Sequence, residues 1–349
     1  MLRNRLQIFR FAASTLIFAQ AGSLAAQSNP AWAMHKRRVL KVVADNSGDF
    51  RSVQEAVNAL PEDGGEIHIA PGTYREVVHI TKPHVRLEGD VKDPSKVVIV
   101  FNKSHGTAGG TLASASVSVD GDDFYAQGIT FANDFSVNKP LAEGSQAVAL
   151  LVRGDRAVLR HVRLLGFQDT LYTGSKSCTS EQGPCVPTRQ YFSDCYIEGN
   201  VDFIFGDART VFQNCEIHAL PNSVVFLTAQ SKHYPQELSG YVFDHCKVTA
   251  APGTPKIYLG RPWRAYSTVV FLNTDIQAKI DPAGWREWTP EKTHKLETSF
   301  YAEFGSHGLG GDIRRRDPHA KQMQREDANG YRAEVFLAGA DHWNAVSAH

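Results

Sequence analysis

The sequence predicts an all-β fold, a single-stranded right-handed parallel β-helix with a short N-terminal capping helix. Two observations support this prediction. A short pattern, apolar, two mostly polar residues, then apolar, polar, apolar, recurs from the middle of the chain onward, starting at positions 126, 159, 192, 212, 243 and 271. The segments between these repeats hold further short β-rich runs and no long amphipathic helix. Closely spaced repeats of this kind, each holding several short strands, stack into a solenoid.

The repeats share one internal spacing, so that their last two apolar residues lie on the same face of a strand. They are Ala126-Ile129-Phe131, Leu159-Val162-Leu164, Phe192-Cys195-Ile197, Phe212-Cys215-Ile217, Phe243-Cys246-Val248 and Phe271-Thr274-Ile276. Asp194, Asn214 and Asn273 precede the central residue, where their side chains suit a bend in the chain. A β-sandwich is the alternative architecture, but it does not explain why three cysteines recur in one slot.

The capping helix is predicted from the segment before the first strand. Ser52 and Glu55 have the spacing of a capping box. Apolar residues recur at helical period in the same segment, namely Phe50, Val53, Ala56, Val57 and Leu60. A strand is expected after this helix, over 66–70. At the other end, the polar segment 306–329 is predicted to be loop, and the apolar segment 331–343 is expected to pack back along the solenoid.

The N-terminus has the pattern of an export signal. The segment before Met34 contains three arginines and no acid, with an apolar run over 11–26 and small residues at Ala31 and Ala33. The run is shorter than the roughly 20 residues of a membrane-spanning helix. We therefore expect a signal peptide over 1–33 with cleavage after Ala33 or after Ala26, no stable membrane insertion, a catalytic domain over 34–349, and a secreted or periplasmic protein.

Composition and charge indicate the class of protein and the partners that it does not favour. The chain has 349 residues, 42% of them hydrophobic, which is typical of a globular protein with a large core. Lys+Arg and Asp+Glu both number 37, so no basic field favours nucleic acid as a partner.

The five cysteines divide into two groups. Cys178 and Cys185 lie in a polar segment, 174–187, and are predicted to form a local disulfide, which an exported protein permits. Cys195, Cys215 and Cys246 lie in apolar patterns and are expected to be buried thiols. No Cys-x-x-Cys pair exists and the histidines are scattered, so the spacing is unlike a zinc site and no bound metal is predicted.

Two acids occupy equivalent places in successive repeats. Asp169 lies ten residues after Leu159, and Asp202 lies ten residues after Phe192. Coils of a β-helix stack about 4.8 Å apart, so the two carboxyl groups are predicted to meet. Two carboxyl groups that close do not both ionise readily, and the pair supplies one nucleophile or base and one proton donor.

The sequence around these acids resembles the pectin methylesterase family. The matching segments are Gly166-Phe167-Gln168-Asp169-Thr170-Leu171-Tyr172, Gly199-Asn200-Val201-Asp202-Phe203-Ile204-Phe205-Gly206 and Leu259-Gly260-Arg261-Pro262-Trp263, with further matches at 72–76, 146–150 and 282–288. They occur in the family's order from about Val43 to Trp343. The family's known fold is the right-handed parallel β-helix, which agrees with the repeat analysis.

The resemblance implies a role for each matching polar residue. Asp202 corresponds to the nucleophile, which attacks the C6 methyl ester and forms an acyl-enzyme. Asp169 corresponds to the acid that protonates departing methanol and then activates water. Gln168, assisted by Gln146, corresponds to the stabiliser of the oxyanion, and Arg261 to the residue that orients Asp202. No metal or organic cofactor is implied.

The resemblance also implies a substrate cleft for methylated homogalacturonan. Aromatic rings in such clefts contact the apolar faces of sugars. The residues expected to bind substrate are Thr111, Gln146, Tyr172, Arg261, Trp263 and Trp285. Trp288 and Phe205 fit a core position equally well. The protein is expected to act as a monomer.

The sequence departs from the family pattern in two segments, and other functions are compared with the one that the resemblance implies. After Gln230 the chain reads Ser231-Lys232-His233, and segment 174–187 is long, which favours the bacterial members. A lyase or a polygalacturonase is disfavoured because a calcium-binding acid cluster and a Gly-His-Gly segment are missing from the sequence. The remaining alternatives are a related β-helix esterase or thioesterase with another substrate, and a non-catalytic carbohydrate-binding solenoid.

Overall fold

The computed structural model describes residues 38–137, 142–180 and 183–348. Three long parallel sheets run along the chain, and together they form a right-handed parallel β-helix. The predicted fold class is therefore confirmed. The predicted export signal, residues 1–33, lies outside the described residues.

The eleven-stranded sheet forms one wall of the solenoid. Its strands are Val39–Val42, Gly65–Ile69, Val85–Glu88, Tyr125–Gln127, Ala157–Arg160, Arg189–Ser193, Arg209–Gln213, Gly240–Asp244, Thr268–Leu272, Phe300–Phe304 and Lys321–Gln322. The eight-stranded sheet comprises Gly72–Arg75, Val97–Phe101, Thr130–Asn133, Arg163–Leu165, Tyr196–Gly199, Glu216–Ala219, Lys247–Ala250 and Asp275–Ile276.

The six-stranded sheet carries the candidate site. It comprises Val78–Ile80, Val117–Val119, Leu150–Val152, Leu171–Thr173, Ile204–Gly206 and Thr228–Gln230. Two small sheets lie outside this frame: an antiparallel hairpin, Ser177–Cys178 with Cys185–Val186, and a parallel pair, Val225–Phe226 with Ile257–Tyr258.

Strand register places the predicted repeats one above another. Phe192 pairs with Phe212, Phe212 with Phe243, and Phe243 with Phe271. Their rings stack inside the solenoid at centroid distances of 5.1, 4.7 and 4.6 Å. Apolar side chains that repeat once per coil thus form a continuous column, and burial of that column stabilises the stack.

The corner after each of these strands requires a left-handed backbone. Asp194, Asn214 and Asn273 have φ of 56°, 55° and 47°. Asn and Asp adopt this conformation more readily than other non-glycine residues, which explains their place in the repeat. Cys195, Cys215 and Cys246 follow the corners and are buried free thiols.

The described helices are short. They are Val53–Ala59, His105–Ala108, Arg325–Asn329 and Ala333–Phe336, with 3₁₀ turns at Pro94–Lys96, Leu112–Ser114, Lys295–Glu297 and Ile313–Arg315. Among the described residues, no helix is long and apolar enough to cross a membrane.

The N-terminal cap differs from the capping box predicted from sequence. Ser52 Oγ accepts from the backbone N–H of Glu55 at 3.2 Å, as expected. The second capping carboxylate comes from Glu76, which accepts from the backbone N–H groups of Val53 and Gln54 at 2.8 and 2.9 Å. Glu76 lies on the first coil, so the cap fastens the helix to the solenoid.

The C-terminal region is more ordered than predicted. Segment 306–329, predicted to be loop, contains a 3₁₀ turn, a short strand and the helix Arg325–Asn329. Beyond it, residues of segment 331–343 pack on the outer face of the eleven-stranded sheet against Tyr191, Val211 and Val242. The prediction that this segment packs back along the solenoid is correct.

Candidate active site

Asp169 and Asp202 lie at the same height on adjacent coils. The strand after Asp169 pairs in parallel with the strand after Asp202, with Leu171 opposite Ile204. Each acid lies two positions before the first residue of its strand, and the backbone N–H of Asp169 donates to the carbonyl of Val201 at 3.1 Å. The equivalence of the two acids in the sequence repeat therefore corresponds to the observed pairing of the strands.

Both acids have left-handed backbone conformations. Their φ values are 63° for Asp169 and 51° for Asp202. Positive φ is uncommon outside glycine, and such residues cluster at functional sites. The two residues are 8% and 5% exposed, so they are buried rather than on a solvated face.

Arg261 makes a bidentate ion pair with Asp202. Its Nε donates to Oδ1 at 2.8 Å and its Nη2 to Oδ2 at 2.6 Å. The guanidinium carbon lies 4.2 Å from the ring centroids of both Phe226 and Trp288. Hydrogen bonds and aromatic contacts together fix the plane of the guanidinium, and with it the orientation of the carboxylate.

The two carboxyl groups differ in protonation. Burial raises the pKa of Asp169 well above its ordinary value, and the charge of Asp202 raises it further. Burial also raises the pKa of Asp202, but the hydrogen bonds and the charge of Arg261 oppose that rise. Asp202 is therefore the more readily ionised carboxyl group of the pair, and Asp169 is the one that favours the protonated form.

The two predicted glutamines lie on neighbouring coils beside the acids. The backbone carbonyl of Gln168 accepts from Ala147, the residue after Gln146, at 3.1 Å. The side-chain oxygen of Gln146 is buried and has no hydrogen-bond partner among the described residues. Gln168 is half-buried and immediately precedes Asp169. Amide N–H groups at these positions are available to a developing negative charge without adding a charge of their own.

Thr111 connects to this group through a histidine. Its hydroxyl lies 3.0 Å from Nδ1 of His105, and the backbone N–H of His105 donates to the carbonyl of Gln146 at 2.7 Å. Thr111 is half-buried. One histidine thus connects Thr111 to the backbone of Gln146.

An aromatic cluster forms on the coils that carry the acids and Arg261. Tyr172 and Phe205 meet edge to face at 5.1 Å, and Phe205 lies 6.1 Å from Trp263. These rings and Trp288 cover a small apolar base that includes Val148. Tyr172 and Trp263 are half-buried, so part of each ring faces solvent, as a sugar-binding surface requires.

Trp285 does not belong to this cluster, and its prediction as a substrate contact is wrong. It is 1% exposed and stacks on Tyr301 at 4.2 Å, with Phe271 at 6.0 Å. It lies in the aromatic column inside the solenoid, between Phe271 and Tyr301. Trp288, three residues later, contacts Arg261 instead.

A network on Glu287 holds Trp288 in place. The Glu287 carboxylate accepts from the backbone N–H of Trp288 at 2.9 Å, from that of Leu296 at 3.0 Å, and from the Thr293 hydroxyl at 2.7 Å. Lys295 donates to the carbonyl of Trp263 at 2.7 Å. The sequence fits Trp288 equally well to a core position, so it predicts no role for this residue.

The segment 174–187 forms a hairpin beside the cleft. A disulfide joins Cys178 and Cys185. The backbone N–H of Ser175, at its base, donates to Asp207 at 2.8 Å, and Asp207 directly follows the strand Ile204–Gly206, which begins two residues after Asp202. The hairpin is thus fastened to the coil that carries Asp202.

The chain is similar to known proteins in family, sequence and structure. A family model described as Pectinesterase matches residues 39–340. The chain is 35% identical over 323 residues to pectinesterase QRT1 of Arabidopsis thaliana, covering 89% of this chain and 80% of the relative. It is 38% identical over 310 residues to the probable pectinesterase/pectinesterase inhibitor 17 of the same plant, covering 85% of this chain and 57% of that longer relative. The chain spans about half the length of several such plant relatives.

Solved structures agree with this result. Pectin methylesterase from carrot has a TM-score of 0.77 and 34% identity, covering 86% of this chain and 93% of the carrot chain. Pectin methylesterase PemA from Erwinia chrysanthemi has a TM-score of 0.70 and 27% identity, covering 88% and 98%. The expectation of greater similarity to bacterial members is therefore not supported. The chain belongs to the pectinesterase family.

Proposed function

We propose that this protein is a pectin methylesterase that hydrolyses C6 methyl esters of homogalacturonan to free carboxylates and methanol. The observation that carries the proposal is the buried Asp169–Asp202 pair, in which Arg261 binds one carboxylate through both of its oxygens. A relative with a TM-score of 0.71 and 27% identity is a pectin methylesterase solved in complex with a hexasaccharide. That relative supports a polymeric galacturonide as the substrate here.

In the first half of the reaction, the carboxylate of Asp202 attacks the ester carbonyl carbon. The carbonyl oxygen becomes an oxyanion, and the side-chain amides of Gln168 and Gln146 donate hydrogen bonds to it. The tetrahedral intermediate collapses to an anhydride with Asp202. Asp169 gives its proton to the departing methoxide oxygen, so that methanol leaves as a neutral molecule.

In the second half, water hydrolyses the anhydride. Asp169, now ionised, takes a proton from the water as its oxygen attacks the acyl carbon. Asp202 leaves as a carboxylate and returns to its ion pair with Arg261, and Asp169 is again protonated. The residues return to their initial state with no net gain or loss of protons or electrons.

The cleft supports a polymeric substrate. Trp263 and Tyr172 offer partly exposed rings, and the half-buried Thr111 is linked through His105 to Gln146. Binding energy from sugar units far from the reacting ester orients that ester against Asp202. We expect turnover on methylated homogalacturonan and a steep fall on mono- and digalacturonate methyl esters.

The decisive experiment measures methanol release against chain length. Purified protein is assayed on methylated pectin, on methylated oligogalacturonides of defined length, and on acetyl and thioester analogues. Rising kcat/KM with chain length supports the proposal. Equal kcat/KM on a monomer ester and on pectin, or a preference for the acetyl or thioester substrate, would refute pectin as the substrate.

The remaining proposals concern the form in which the protein acts. We propose that the N-terminal segment ending at Ala26 or Ala33 is removed during export, and that the catalytic domain acts as a monomer in the periplasm or outside the cell. Mass analysis of protein from the periplasm and the medium tests the cleavage, and light scattering of the purified protein tests the oligomeric state. An intact Met1 in the exported protein would contradict the first.

A further inference from the structure

A compact group of metal-binding residues lies under the 174–187 hairpin. Cys178, Cys185, Asp207 and His233 each place one donor atom within 4.8 Å of the other three. They come from the hairpin, from the residue after the Ile204–Gly206 strand, and from the segment Ser231-Lys232-His233. Spacing in the sequence does not predict this group, because the fold joins distant segments.

The distances between donors resemble those of a tetrahedral zinc site. Sγ of Cys185 lies 3.6 Å from Nδ1 of His233, Sγ of Cys178 lies 3.6 Å from Oδ2 of Asp207, and that Oδ2 lies 3.9 Å from Nδ1 of His233. Zinc bonds of about 2.0 to 2.3 Å at tetrahedral angles separate donors by about 3.3 to 3.8 Å. The two sulfurs are bonded to each other here, and they need only separate to complete the site.

The surroundings of the group are those of a supported site. Asp207 is 4% exposed, and its carboxylate accepts from the hydroxyl of Ser175 at 2.6 Å. Glu237 is equally buried, and its carboxylate oxygens lie 3.2 Å from Nδ1 of His233. Cys178 is exposed and offers an ion a path from solvent. The Ser175 hydroxyl orients the Asp207 carboxylate as neighbours of metal ligands do, and zinc bound to Nδ1 of His233 takes the place of the Glu237 contact.

We propose that reduction of the Cys178–Cys185 disulfide creates a zinc site formed by these two thiolates, Asp207 and His233. A phosphine or a dithiol supplies the two electrons. With a phosphine, the S–S bond breaks, water gives its oxygen to phosphorus, and its two protons go to the two sulfurs. Zn²⁺ then displaces both thiol protons and binds the imidazole in its neutral form. Zinc thereby replaces the disulfide as the link between the hairpin and the coil that carries Asp202.

The test compares zinc binding by oxidised and reduced forms of the whole exported protein. Protein is reduced with a phosphine, freed of reductant, mixed with Zn²⁺ and passed through a desalting column, and bound zinc is measured by mass spectrometry. We expect about one zinc per reduced chain and at least tenfold less for the oxidised chain. The oxidised chain is itself a control for the thiols of Cys195, Cys215 and Cys246.

Variants locate the site. His233→Ala and Asp207→Asn are expected to lose stoichiometric zinc, whereas His245→Ala, which removes an exposed imidazole paired with Asp244, keeps it. Ser175→Ala is expected to weaken binding about tenfold. Zinc retained by His233→Ala, or none on the reduced wild-type chain, would overturn the proposal.

A spectroscopic measurement keeps the test valid if a variant folds poorly. Co²⁺ added to the reduced wild-type protein is expected to give thiolate charge-transfer absorption and the intense visible bands of a tetrahedral ion. Circular dichroism of the same sample checks that the β-helix remains folded. Octahedral cobalt spectra on folded, reduced protein would refute the tetrahedral two-thiolate site.

Discussion

Trp288 covers the guanidinium of Arg261, with the ring centroid 4.2 Å from Cζ. Arg261 in turn holds both oxygens of Asp202. We therefore expect Trp288 to act through Arg261 as a positioning residue for the candidate nucleophile.

Loss of the Trp288 ring is expected to affect both rate and pH dependence. Trp288→Leu should lower kcat/KM by about 5- to 30-fold, which corresponds to the roughly 1 to 2 kcal/mol of a desolvated cation–π contact. Burial raises the pKa of Asp202, and Arg261 opposes that rise. When Arg261 is held less firmly, the pKa of Asp202 therefore increases, and the acidic limb of the pH–rate profile moves to higher pH. Methanol release measured across pH provides the test.

The controls for this variant separate positioning from packing. Trp288→Phe keeps a ring over Arg261 and should restore most of the rate. Trp343→Leu removes a tryptophan that stacks on Arg189, at 5.4 Å, and should leave the pH profile unchanged. An unshifted acidic limb in Trp288→Leu would show that the contact with Arg261 is only structural.

Replacement of Asp202 tests the nucleophile. Asp202→Asn should lower turnover on the order of 10⁴-fold or more, as loss of a nucleophile does in other hydrolases. Asn tolerates the left-handed backbone at this position, so the fold should persist. Asp194→Asn is the matched control, since Asp194 has φ of 56° but lies at an exposed corner. Near wild-type methanol release by Asp202→Asn would exclude Asp202 as the nucleophile.

Replacement of Gln168 tests the oxyanion donor. Gln168→Ala should lower kcat on the order of 10²-fold or more, with little change in thermal unfolding, because the amide acts mainly in the transition state. Gln277→Ala, on the exposed surface, is the control. The assay is methanol release on pectin at saturating substrate. A change confined to KM would instead assign Gln168 to substrate binding.

The buried Asp169 carboxyl should make stability depend on pH. Its folded-state pKa is well above its ordinary value of 3.8, so the folded protein favours the protonated form. Its contribution to stability is fully present below that ordinary value and is lost as the pH rises through the folded-state pKa. Asp169→Asn cannot ionise, and its unfolding free energy should exceed that of the wild type increasingly over this range.

Denaturant unfolding of both proteins at several pH values measures this effect. Asp317→Asn is a suitable control because Asp317 lies in the C-terminal region, away from the acid pair. Asp169→Asn should also show severely reduced methanol release at every pH. An equal unfolding free energy for Asp169→Asn and wild type across the range would contradict a raised pKa for Asp169.

The disulfide predicts a definite thiol count. In denaturant, Cys195, Cys215 and Cys246 should react, which gives three free thiols, and after reduction five. Reduction in the presence of a chelator should lower the unfolding free energy by about 2 to 3 kcal/mol, the value expected for so small a loop. The double variant Cys178→Ser/Cys185→Ser should match the reduced protein. Five reactive thiols before reduction would contradict the pairing.

Much of this structure is readable from the sequence because a β-helix repeats itself. Each coil contributes the same apolar slots, so the column from Phe192 to Phe271 follows from spacing alone. The same register brings Asp169 opposite Asp202, because the pairing of two strands determines which residues of adjacent coils lie side by side. The corner residues Asp194 and Asn214 follow from backbone preference, which is a local property.

The tertiary structure decided the contacts between residues that lie far apart in the sequence. Trp285 and Trp288 are the same residue type, three positions apart in the sequence. Only the packing of the aromatic column, which ends where Trp285 stacks on Tyr301, determines which of them is buried. The second carboxylate that caps the N-terminal helix belongs to Glu76, on the first coil of the solenoid, rather than to Glu55. Likewise His233 and Asp207 meet Cys178 and Cys185 because separate segments pack together. Strand register is set by short-range periodicity, whereas side chains on loops take positions that depend on contacts between residues far apart in the chain.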